Sequence, residues 1–233
     1  MKKPLKLASA ALLAVIAGHA MAADDNVDVK VTGQIVPPAC VPAVSGGAVF
    51  DYGAIKAASL SQDDYTVLPR KSLDFSVTCD SPMKIAFSAV DARADSVVVP
   101  VGKRLILVTG STITADDVSL FGLGTTSEGK KIGGYKAAIM WPITDGEKDV
   151  HSIRSDDGGQ TWANYGASSN VWLNPQRANV LSSVAKNGST EPVAFTNLSA
   201  TLKVQAAINK GAELDLTRMI NLEGQATIQM TYL

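Results

Sequence analysis

The residues that could do chemistry are few. The chain of 233 residues has two histidines and two cysteines. His19 falls in a leader segment, which leaves His151 as the single imidazole. That excludes a multi-histidine metal site and makes any nucleophilic triad depend on one residue. No motif surrounds His151, so it is expected at the surface or at a strand end. Cys40 and Cys79 are the natural partners of each other in an exported chain, because oxidising compartments favour the bridge. That pairing removes both a four-cysteine zinc site and a thiol nucleophile. Gly122-Leu123-Gly124 begins like a dinucleotide fingerprint, but Ser127 stands where the third glycine is needed, and no Gly-Lys-Ser or Gly-Lys-Thr occurs. Asp63-Asp64, Asp116-Asp117 and Asp156-Asp157 are adjacent carboxylates on turns, which point apart and stay solvated rather than flank a glycosidic bond. The expectation is no enzyme, no cofactor and no metal.

One motif is specific. Ser155-Asp156-Asp157-Gly158-Gly159-Gln160-Thr161-Trp162 follows the pattern S-x-D-x-G-x-T-W and resembles the Asp box of sialidase-type propellers. In physical terms it is a hairpin turn. Ser155 and Asp157 bond backbone amides, Gly159 allows positive φ, Thr161 completes the set and Trp162 packs beneath. A propeller needs four or more blades, and the chain has one copy. The motif is therefore expected to be structural. Weak glycan contact through Trp162, Tyr165 or Trp172 is the alternative.

The elements that must position these residues read as strands. Residues 1–22 have the layout of a secretory signal: Lys2, Lys3 and Lys6, an apolar run from Leu7 to Gly18, then Ala20-Met21-Ala22. That run is too short to span a bilayer, and no later stretch is long enough. Past the signal, 18 basic residues face 22 acidic ones, a net charge of −4, which argues against nucleic-acid binding. No linker divides the rest, so one domain is expected. Apolar residues alternate with polar ones at Val27, Val29, Val31, Gly33 and Ile35; at Leu73, Phe75, Val77 and Cys79; and at Ile85, Phe87 and Ala89. The same period holds at Tyr135, Ala137, Ile139 and Trp141; at Leu202, Val204, Ala206 and Ile208; and at Ala226, Ile228, Met230 and Tyr232. Turns are expected at Ser45-Gly46-Gly47, Asp80-Ser81-Pro82, Thr144-Asp145-Gly146, 156–159 and Asn187-Gly188. Asn174 to Lys186 permits one short helix, and residues 109–134 read as loop with strand fragments. The fold class is all-β, a sandwich of two packed sheets.

Both ends carry a family resemblance. The run from Val29 to Cys40, with Gly33 at its centre, looks like the start of a mature chaperone-usher pilin. Phe50-Asp51-Tyr52-Gly53-Ala54-Ile55 and Leu73 to Cys79 are similar to the segments that follow in that family. The last ten residues, from Gly224 to Leu233, resemble a pilin tail with its penultimate tyrosine. The resemblance covers about the first 70 mature residues and the last 40. It implies a signal over 1–22, a donor-type strand over 23–36, and a pilin-like domain over 37–233 with insertions around 100–190. The implied fold is an immunoglobulin-like sandwich lacking its final strand.

The implied function is that of a non-catalytic fimbrial subunit of the periplasm, then of a fimbrium or the cell surface. Its partners would be a periplasmic chaperone, an outer-membrane usher and neighbouring subunits. Val29, Val31, Gly33 and Ile35 would enter a neighbour's groove, and Ala226, Ile228, Met230 and Tyr232 would pair with the chaperone. Strand addition needs a period-two donor, because only alternate side chains face the groove. A glycine inside a strand costs stability and marks a close approach or a shallow pocket. Two other readings stay open: a self-contained surface-coat domain that folds its N-terminal strand into its own groove, and a lectin-like protein using the Asp-box region.

Overall fold

The computed structural model describes residues 29–35, 39–105, 112–164 and 170–233. The signal (1–22), residues 23–28 with Val27 of the expected strand, and Tyr165 lie outside them. The chain divides into two units, residues 1–36 and 37–233. In the first unit, residues 29–35 form no ladder, and Val29, Val31 and Ile35 are exposed.

The second unit is all-β, and its strands form one network of eleven in which every ladder is antiparallel. The strands are β1 (Cys40–Val44), β2 (Thr66–Val67), β3 (Lys71–Asp91), β4 (Phe121–Gly122), β5 (Gly133–Thr144), β6 (Val150–Ser155), β7 (Ala163–Asn164), β8 (Asn170–Trp172), β9 (Leu181–Lys186), β10 (Ala194–Ile208) and β11 (Ala226–Tyr232). The network curls about β3. The first half of β3 pairs with β1 on one side and β10 on the other, whereas Ile85–Asp91 pairs with β11, and Phe87 meets β9. The turn expected at Asp80-Ser81-Pro82 falls inside β3 as a sharp bend that brings Phe75 and Phe87 of its two halves together. β3 runs through it, and the proline fits because the strand changes partners there and loses regular ladder pairing.

Most of the period-two sets face one core. Phe75, Val77, Cys79, Ile85, Phe87, Ala89, Tyr135, Ala137, Ile139, Leu202, Val204, Ala206 and Ile208 belong to a single buried cluster. Phe75 and Phe87, from the two halves of β3, meet edge to face at 5.8 Å, a favoured aromatic geometry. Trp141 departs from its expected face. The β5–β10 register shifts between Ser199 and Thr201, and at that bulge Trp141 takes φ +54 and stands half exposed, with the Lys203 ammonium 3.7 Å from its ring centre. A bulge inserts one residue and re-aims a side chain.

The middle of the chain also differs from its sequence reading. Asn174 to Lys186 holds no helix: a turn leads into β9, five of whose six residues are buried. Residues 112–134 carry β4 and a small second core in which Leu105, Ile113 and Leu120 pack on Ala207. This core covers the outer side of β10, while Trp172 covers Ala138 and Met140. β5 is buried over most of its length for that reason. A buried ion pair pins the insertion, with Lys136 Nζ 2.6 Å from Asp117 Oδ2. His151 is not a surface residue. It sits second in β6, at the strand end that the sequence allowed, but is 7% exposed, and both ring nitrogens lack a hydrogen-bond partner among the described residues.

Candidate functional site, a groove between two free edges

Six strands of the network have one partner each among the described residues, and two of these, β1 and β11, lie along β3. β1 pairs only with the first half of β3, and β11 only with the second. Between them opens a groove of about 1250 Å³. Its floor is the inward face of the first half of the network, with Phe75, Tyr135, Leu202, Val204 and Ile208. Its walls are two irregular segments that contribute Tyr52, Ile55, Leu216 and Ile220. Burial first, and the charge of Asp91 second, push the Tyr135 phenol far above its ordinary range, so the floor stays uncharged at any physiological pH. A concave, apolar surface flanked by unpaired backbone has the features that strand addition uses.

Hydrogen bonds at the strand ends fix which backbone groups face the groove. Ala92 N donates to Gln225 O at 2.9 Å and Leu233 N to Lys84 O at 3.1 Å, so the odd-numbered residues of β11 are turned toward β3. The even-numbered Ala226, Ile228, Met230 and Tyr232 therefore aim N–H and C=O at the free edge. On the opposite bank, Asp80 N donates to Ala39 O at 3.0 Å, which turns Cys40, Pro42 and Val44 outward. This bank is poorer in donors. The Cys40 amide donates to Tyr232 Oη at 2.8 Å, and Pro42 has no N–H. Cys40 also forms the disulfide with Cys79, its directly opposed residue. The Tyr232–Cys40 bond brings the C-terminal end of β11 against the start of β1 and closes one end of the groove.

Side-chain burial agrees with an unfilled edge. Ile85, Phe87 and Ala89 are at most 7% exposed, yet Ile228 and Met230, opposite Ala89 and Phe87, are only half-buried. Both pack against the core cluster and stay partly exposed.

Comparison with known proteins places this architecture in a bacterial family. Over 251 aligned residues the chain is 31% identical to Protein GltF of Escherichia coli (strain K12), an alignment spanning 100% of this chain and 99% of the relative. It is 30% identical over 241 residues to the Uncharacterized protein YhcF of the same organism, spanning 94% of this chain and 95% of the relative. Residues 29–136 match the family described as "Protein of unknown function (DUF1120)". The chain belongs to this family. The matched span takes in the exposed segment from Val29, both cysteines, all of β3 and the start of β5.

The sequence-read residues fall into three places. Cys40 and Cys79 are bonded, and β11 carries Ala226, Ile228, Met230 and Tyr232, the first two of which line the groove. Val29, Val31, Gly33 and Ile35 are exposed, and a Cβ at Gly33 would meet nothing within 4 Å. Nothing described in its own chain requires glycine there. The Asp box forms the β6–β7 turn, away from the groove lining. Asp157 Oδ1 accepts from Ser155 Oγ (2.6 Å), Gln160 N (3.0 Å) and Thr161 N (2.9 Å), and Oδ2 accepts from Thr161 Oγ1 (2.6 Å). Gly158 and Gly159 take positive φ, and Trp162 Nε1 donates to Gly159 O at 3.1 Å. The bonds from Ser155 and Thr161 hold the Asp157 carboxyl far below its ordinary range. The groove walls escaped sequence reading because 49–60 and 214–224 have no steady period; Phe50 to Ile55 was the one partial signal.

Proposed function

We propose that the chain is a non-catalytic structural subunit, exported to the periplasm and completed by a strand from another polypeptide. In this reading the curled network is an immunoglobulin-like sandwich without its last strand. A periplasmic chaperone fills the groove first; the Val29–Ile35 segment of a neighbouring subunit replaces it during assembly through an outer-membrane usher. The observation that carries the reading is the apolar groove between two free strand edges, paired with an exposed segment of matching period. β11 spans seven residues, and the period-two set that includes Val29, Val31, Gly33 and Ile35 is long enough to run along it. Burying Val29, Val31 and Ile35 would contribute up to roughly 5 to 8 kcal/mol before backbone pairing.

Self-completion fits less well. The segment is joined to β1 through residues 36–39 alone, so it could enter only as the hairpin partner of β1. There it would meet the bank with the fewest donors and lie parallel to β11, the weaker pairing. A glycan-binding role through the Asp box is disfavoured because Asp157 and the Trp162 indole N–H are spent inside the turn.

The test is Gly33→Asn. A side chain at that position should block subunit joining, read as loss of the oligomer ladder, while chaperone capture persists. Unchanged joining would sink the donor-strand reading. A purified chain that is monomeric and melts at high temperature with no partner would favour self-completion instead.

A further inference from the structure

The groove has one closed end, and the residue that closes it is the last aromatic of the chain. Tyr232 reaches from β11 to the opposite bank, and its hydroxyl accepts the outward amide of Cys40. That amide is one of the two β1 donors turned toward the groove, and the disulfide at the same residue anchors it. The ring therefore lies across the path that a longer strand would follow. At the other end, Ala226 and Val44 have no such bridge.

Resting on the strand-addition reading above, we infer that Tyr232 is an end stop that limits the length of the entering strand. From Ala226 to Tyr232 the free edge rises about 20 Å, at ~3.4 Å per residue. That accommodates seven residues with four inward positions. The period-two set at the N-terminus has five members, Val27, Val29, Val31, Gly33 and Ile35. A strand lying antiparallel to β11 has its N-terminal end at Tyr232, so the stop leaves places for four of the five and none for the fifth. Without the stop, the strand would run on past Tyr232 and bury the fifth side chain as well.

The test uses the exported, purified chain and two synthetic peptides, Val29–Ile35 and Val27–Ile35. The native chain should bind both with the same affinity. Tyr232→Ala should bind the longer peptide about tenfold more tightly than the shorter, the gain expected from one more buried valine. An equal gain in the native chain would overturn the stop while leaving strand addition intact. If neither peptide binds to either protein, the strand-addition reading itself fails. Tyr232→Phe guards against a variant that misfolds, because the ring is kept and only the hydroxyl bond is lost. In it, the Cys40 amide should exchange with solvent at least tenfold faster; unchanged exchange would show that Tyr232 does not hold that end.

Discussion

Asp157 gathers four hydrogen bonds within six residues of chain, and that concentration has a measurable consequence. Because its folded-state pKa is depressed, its contribution to stability is full above the unfolded carboxyl value, ~4, and is lost as pH falls through the folded value. Asp157→Ala should lower the melting temperature at neutral pH, flatten the acid side of the stability profile and speed amide exchange at Gln160 and Thr161. An unaltered profile would remove Asp157 as the organiser of the turn. This site was legible from the sequence because each bond is local, made by residues whose types dictate their partners. His151 was not, because its burial comes from β6 packing between neighbours distant in sequence. The Tyr232–Cys40 bond, 192 residues apart in sequence, was invisible for the same reason.

Elements show the same division between local and non-local causes. β11 and the inward residues of β10 were readable because a half-buried strand writes its period into the chain. β6 and β9 are buried over nearly their whole length, which erases the alternation, and β9 was open to a helical reading. The second core was hidden because Leu105, Ile113 and Leu120 are scattered through a segment without period, and only the outer face of β10 brings them together. Its anchor is testable. Burial alone would raise the Asp117 carboxyl, but bonds from Lys136 and Ser119 outweigh it and hold the group low. Lys136→Met strands that carboxylate and should cost ~3 kcal/mol, seen as a lower denaturant midpoint and early exchange of residues 112–120. A midpoint within error of the native one would mean that the ion pair does not hold the insertion. At the free edge, Met230→Lys should leave the fold standing, since the side chain is half exposed, and should weaken strand capture at least tenfold; equal capture would place the entering strand elsewhere.

Across the whole molecule, one covalent link and one singly paired edge dominate. The disulfide closes a loop with a sequence separation of 39, worth ~4 kcal/mol on the chain-entropy account. It also secures β1, which has a single ladder partner. Replacing both cysteines by serine should lower stability by that amount and release β1 before the rest, measurable as early exchange at Val41 and Ala43. Simultaneous loss of all strands would argue that β1 is not separately held. The central claim is that β11 is an edge waiting for a strand, and backbone amide exchange reads it most directly. On adding the Val29–Ile35 peptide, the outward amides of Ile228 and Met230 should become protected, while those of Thr227 and Gln229, already turned to β3, change little. If Ile228 and Met230 are protected before any peptide is added, or stay unprotected at saturating peptide, the groove is not a strand acceptor.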